Sequence, residues 1–176
     1  MNLQFQELIP NDFTDDSKVW IYQSNRQFTL HEALQIEALL EEFTCRWKSH
    51  SMDVKGFGNL FFGQFIILMA DETATGVSGC STDSSVRLIK NIEEDFNVKL
   101  FERQSLAFII SERIQLIPLS ELPLAIENNI VTPDTLYFNN TIQNKSQLVN
   151  EWIIPVQKSW LNTKFSSLLH PSYSNS

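Results

Sequence analysis

The hydrophobic positions of this chain follow two periods, and each predicts a different kind of element. Ala33, Ile36, Leu40, Phe43 and Trp47 recur every three or four residues, which lays one apolar stripe along an α-helix. Just ahead, Thr29 stands three residues before Glu32, so hydroxyl and carboxylate can each satisfy a backbone N–H at a helix start. A helix from Thr29 to about His50 is predicted. A second helix follows Gly79, with the stripe Leu88, Ile89, Ile92 and Phe96 and with Asn97 as its stop.

Elsewhere the period drops to that of strands. Val19 to Tyr22, VWIY, is a short run of strand formers ended by Gln23-Ser24-Asn25-Arg26. Leu60 to Ala70, LFFGQFIILMA, is apolar on both alternating faces and predicts one central strand covered on both sides. Leu106 to Ile110 and Ile114 to Leu119 flank the polar group Ser111-Glu112-Arg113 and predict a hairpin. Leu136 to Phe138 adds a strand. Short helices are predicted after Ser120, over Ser146 to Ile153, and around Trp160 and Phe165.

These elements predict an α+β fold: a single domain with a mixed sheet of about four or five strands and two long helices packed on it. Residues 19–165 form the globular part. Residues 1–18, polar and acidic, read as a loosely ordered N-terminal arm, and residues 166–176 as a frayed C-terminal tail.

Composition narrows the function classes. A length of 176 residues with 43% hydrophobic content suffices for one substantial core. A formal charge of -8 repels phosphate backbones, so no nucleic-acid partner is expected. The longest apolar run is too short to span a bilayer, and the N-terminus lacks the basic-then-apolar pattern of a leader, so no membrane partner is expected either. Cys45 and Cys80 share no CxxC spacing, which fits reduced thiols and a cytoplasmic location.

The candidate chemistry concentrates in GCSTDSS, Gly79 to Ser85, where a strand-end loop hands over to a helix. A helix start offers unpaired N–H groups and a partial positive charge. Cys80 can there be a nucleophile, or the loop with Ser84 and its neighbours can hold an anion. Asp83, Asp71 and Glu72 oppose both by adding negative charge. The plainer reading is that Ser81 or Thr82 caps the helix, Asp83 complements its dipole, and Cys80 is a small apolar side chain.

Topology adds an expectation. Parallel first and second strands, joined by the long helix in a right-handed crossover, would open on one sheet edge and make Arg26 a neighbour of Cys80. Asn25 and Arg26 would then hold a carboxylate or phosphate against the helix start. An ion pair from Arg26 to Asp83 or Asp71 is the plainer alternative. His50 is either a dipole-complementing residue at the end of the first helix or a base toward Cys80.

Known site motifs are missing. Arg87 comes seven residues after Cys80, one too many for a Cys-x5-Arg loop. No Walker A loop and no zinc-deaminase signature is present. His31, His50 and His170 lack metal-ligand spacing. Asp71-Glu72 at a strand end reads as a solvated turn before it reads as a hard-metal or acid–base pair. Neither a metal nor a cofactor is expected.

The segments VWIYQSNR (19–26), WKSH (47–50), MADE (69–72), SGCSTDSSVR (78–87), YFNN (137–140) and SW (159–160) resemble a family of small, uncharacterised bacterial proteins, several of which carry the label "ABC transporter ATPase". The resemblance covers roughly residues 17–165, with SGCSTDSS its most specific part. It implies a lineage and gives weight by analogy to the strand-end cluster, and it carries no catalytic residues across. Walker A, Walker B and signature motifs are absent from this sequence, so ATP-binding-cassette chemistry is not expected.

Three functional readings remain open. The first is a protein that binds a small polar or anionic ligand through Asn25, Arg26, Gly79, Cys80, Asp83 and Ser84. The second is a cysteine-dependent enzyme with Cys80 as nucleophile and His50 as base. The third is a protein-interaction module using its acidic surface, its partner unknown.

Overall fold

The strand formers at the start of the chain become β1 (Lys18–Gln23), and the capped, striped segment becomes helix α1 (Leu30–Arg46). The computed structural model describes residues 2–49, 52–71 and 79–170, with the side chains at 49, 52 and 79–81 outside that set. The capping box forms as expected: Glu32 N donates to Thr29 Oγ1 at 3.3 Å, and Thr29 N donates to Glu32 Oε2 at 2.7 Å. A short ribbon of β2 (Lys48–Ser49) and β3 (Met52–Asp53) follows, then β4 (Lys55–Phe61), β5 (Phe65–Asp71) and helix α2 (Gly79–Phe96).

The fold is α+β, and every described strand pairing is antiparallel. This corrects the parallel pairing expected for the first two strands. LFFGQFIILMA is the end of β4, a turn and then β5: Phe62 and Gly63 have φ of 54° and 62°, and Gln64 N closes the turn on Phe61 O at 3.0 Å. β5 therefore runs back between β4 and β1, in the sheet order β1-β5-β4. All seven residues of β5 are buried, as the doubly apolar pattern requires.

The chain forms two compact units, the first made of Leu3–Glu102 and Asn140–Val149. On one face of its sheet, Tyr22, Leu60, Ile66 and Leu68 meet Ile36 and Leu40 of α1 and Ile89 and Ile92 of α2. Close approach of the α1 end needs glycine in β4. A Cβ at Gly56 would lie 2.6 Å from Trp47 Cε3, and one at Gly58 would lie 3.3 Å from Thr44 Cγ2 and 3.4 Å from Leu40 Cβ of α1.

Residues 3–17 cover the opposite face, against the expectation of a loose arm over 1–18. Phe5, Ile9 and Phe13 are buried, with Phe5 edge-on to Phe61 at 6.4 Å and Phe13 edge-on to Phe57 at 6.5 Å. Burying each such ring stabilises by roughly 2 kcal/mol, enough to order a segment of this length only with the polar ties described below.

Among the described residues, the second unit comprises Asn2, Arg103–Asn139 and residues 150–170. Its hairpin of β6 (Ser105–Ile110) and β7 (Arg113–Pro118) turns on Ser111 and Glu112. Their φ values of 50° and 60° are the left-handed pair of a type I′ turn, which matches the twist of the strands. Helix α3 (Leu122–Glu127) has Glu121 rather than Ser120 at its N-cap, without a side-chain cap bond. Strand β8 (Leu136–Phe138) precedes helix α4 (Lys145–Glu151), and Ile153–Pro155, expected in part to extend that helix, forms β9. Paired β-branched residues favour the extended form there.

The sheet order is β7-β6-β8-β9. Phe108, Leu122, Tyr137, Val156 and Leu161 form the core beneath it, together with Leu169. Helix α5 (Trp160–Lys164) is capped by Ser159 Oγ, and α6 (Ser166–Leu169) buries Leu169, so the expected tail is packed at least to that residue. Residues 171–176 lie outside the described set.

Candidate functional site

GCSTDSS is helix from its first residue, since α2 begins at Gly79. Ser81 and Thr82, read as caps, therefore fall inside the helix. Asp83 is exposed, Ser84 is half-buried, and the fully buried Ser85 donates its hydroxyl back to Thr82 O at 2.8 Å. The side chains at Gly79 and Cys80, and all of His50 and Glu72, lie outside the described residues.

Asn25 and Arg26 belong to the other end of the same helix. The antiparallel register sets Gln23 opposite Phe65 and Lys18 opposite Ala70, so β1 leads into Asn25 and Arg26 at the start of β5, whereas α2 follows the end of β5. Arg26 Nη2 donates to Phe96 O at 2.8 Å, at the C-terminus of α2. Cys80 is sixteen residues earlier on that helix, about 24 Å along its axis. The crevice expected to join Arg26 to Cys80 is not formed.

Arg26 is instead a clasp. Its guanidinium binds Glu32 through two bonds of 2.9 and 2.8 Å, donates to Gln27 O at 3.1 Å, and lies 5.8 Å from the centre of the Phe28 ring. The two-pronged guanidinium matches a carboxylate and a helix-end carbonyl together. Glu32, held by Arg26 and by the Thr29 backbone N–H, has its carboxyl lowered from the ordinary 4.5 to about 2. Neither of the expected partners, Asp71 or Asp83, takes part in this pair.

Asn25 completes the junction, accepting from Lys99 N at 2.8 Å while its own N–H donates to Lys99 O at 3.1 Å. As expected, Asn97 ends α2. Its φ is 48°, with Val98 N on Glu93 O at 3.1 Å and Asn97 N on Glu94 O at 3.4 Å, the bond pair of a Schellman ending.

A second polar cluster holds residues 11–17. Asp71 is buried and accepts from Thr14 N and Thr14 Oγ1, each at 3.4 Å. Lys55 Nζ lies 4.0 Å from Asp71, 3.0 Å from Asp12 Oδ2 and 4.6 Å from the centre of the Phe13 ring. Its bond draws the Asp12 carboxyl below the ordinary value. Lys145, itself buried, donates to Phe13 O at 2.6 Å and Asn11 O at 3.4 Å. Among the described residues, no group of three or more His, Cys, Asp and Glu side chains can hold a metal ion. Asp71 thus ties the N-terminal segment to the sheet.

The feature that sequence reasoning missed is on the outside of the two long helices. An open cleft of about 520 Å³ runs between them, lined by Gln35, Ala38, Leu39 and Glu42 of α1 and by Asp95 and Phe96 of α2. Beside it on α1, Leu30 is 79% exposed and Leu34 is 58% exposed. Leu30, Leu34 and Ala38 recur every four residues, so they line one edge of the helix. The signal was present in the sequence: α1 carries this second apolar row in addition to the stripe that fills the core.

Compared with family models, curated proteins and solved structures, the chain matches none.

Proposed function

We propose that this protein is a protein-interaction module whose α1–α2 face receives a protein partner. One observation carries the reading: two leucines on consecutive turns of α1 stand in solvent beside a cleft whose lining includes Leu39 and Phe96. Single exposed leucines are ordinary, whereas an aligned pair whose row leads through Ala38 into a groove of mixed polar and apolar lining is an arrangement that helical ligands use. The acidic composition that argues against nucleic acid fits a protein surface. Small-ligand binding by Asn25 and Arg26 loses support, because both are engaged at the C-terminal end of α2.

A photo-crosslinking residue placed at position 34 in the cell, with position 16 as control, tests the reading. A discrete adduct at 34 that disappears with Leu30→Asp, and none at 16, is the expected result. Equal labelling from both positions would sink it.

A further inference from the structure

We infer that the element received by the α1–α2 cleft is a cationic amphipathic helix. The inference rests on the docking reading above and adds the partner's chemistry, which the charge distribution supplies. The first unit holds nine Lys and Arg against sixteen Asp and Glu, a balance of -7; the second holds four against five, a balance of -1. Nearly all of the chain's net charge therefore belongs to the unit that bears the cleft.

Two of its bases are committed elsewhere, Lys55 to Asp12 and Lys145 to backbone carbonyls. Arg26, which bonds Phe96 O, is balanced by its two bonds to Glu32. The residues that line the cleft include two acids, Glu42 of α1 and Asp95 of α2, and no base. Glu42 and Arg46 pair at 2.7 Å, but both are largely exposed, so exchanging that partner costs little.

A second copy of this chain would bring the same acids to the same face, and like charges oppose that arrangement. A helix with apolar residues at i, i+4 and i+7 fits instead, setting them over Leu34, Leu39 and Phe96 while flanking Lys or Arg residues meet Glu42 and Asp95. The acidic rim sets partner choice and encounter rate, and the apolar floor holds the complex together.

The probe is a fluorescein-labelled 18-residue helix of leucine and lysine in amphipathic order, followed by anisotropy. A scrambled peptide of the same composition and a leucine–glutamate helix are the comparators. The leucine–lysine helix is expected to bind, with affinity reduced about tenfold by the double variant E42K/D95K. The charge-matched variant D15K/D16K, at exposed positions in the 11–17 segment, is expected to change it less than about twofold.

Leu34→Asn, exposed enough to leave folding intact, weakens binding without any change of charge. Far-UV circular dichroism of each variant checks the fold. Equal losses from the two lysine pairs, or equal binding of the scrambled peptide, would mean unspecific charge attraction and overturn the inference. If the leucine–lysine helix does not bind while the crosslink at position 34 still forms, the partner chemistry assigned here is wrong and the docking face stands. If both fail, the docking reading falls with it.

Discussion

The two compact units differ most in what holds them together besides apolar burial. In the second unit the described polar contacts include a two-residue turn, a serine cap, Trp160 Nε1 donating to Tyr137 OH at 3.1 Å and the exposed Gln157 Nε2 donating to Asp134 Oδ1 at 2.7 Å. Burial pushes the Tyr137 phenol up, more than that bond lowers it. In the first unit, by contrast, charged groups tie together segments far apart in the chain. Lys145 reaches Phe13, Lys55 reaches Asp12, and Arg26 reaches Phe96. Of these three bases only Lys145 is buried, while Arg26 and Lys55 stay partly exposed and each is paired with an acid. The cleft beside the exposed leucines lies on the helices of this unit, and its lining holds Glu42 and Asp95.

Breaking each unit by its own kind of contact sharpens the contrast. The largest effect is expected for Trp152→Ala in the second unit, where the indole is fully buried against Phe138 at 5.5 Å; large aromatic truncations of this kind cost about 3–5 kcal/mol in denaturant titrations. Gly56→Ala in the first unit comes next. The added Cβ meets the rigid Trp47 ring, and overpacking should cost about 1–3 kcal/mol; unchanged stability would show that the α1 end does not depend on this approach.

Lys145→Met removes the ammonium from two carbonyls while keeping most of the volume, and about 1–3 kcal/mol is expected from the unmet acceptors. Amide exchange should accelerate over residues 11–17 and stay unchanged in β6 and β7. Acceleration in both places would contradict the local role given to Lys145.

The smallest effect is a pH dependence at the Arg26–Glu32 clasp. Because the folded carboxyl is depressed, its stabilisation is fully present above about pH 4.5 and is lost as pH falls toward about 2. Glu32→Gln should therefore lower the melting temperature at neutral pH, by an amount that shrinks through that acid window. A difference constant down to pH 2 would deny the charge its role.

Much of this was legible in advance. The capping box at Thr29, the inward stripe of α1, the stop at Asn97 and the Ser111–Glu112 hairpin are local devices whose partners lie within a few residues, so spacing alone reveals them. The turn at Phe62–Gly63 was hidden, because aromatic residues on both sides kept the run apolar and made two strands look like one. That single misreading reversed the direction of β5 and brought Arg26 into an imagined site with Cys80. The cradles around Lys55 and Lys145 were hidden for a different reason: a lysine that bonds backbone carbonyls more than forty residues away has no signature in its own neighbourhood. The second apolar row of α1 was readable, but the stronger core stripe obscured it.

Residue-resolved NMR with the leucine–lysine helix tests the central claim most directly. Shifts confined to amides of Leu34, Ala38, Leu39, Asp95 and Phe96, with Phe108, Leu122 and Tyr137 unmoved, are what the account predicts. Shifts centred on the second unit, or spread evenly over every acidic surface, would contradict it.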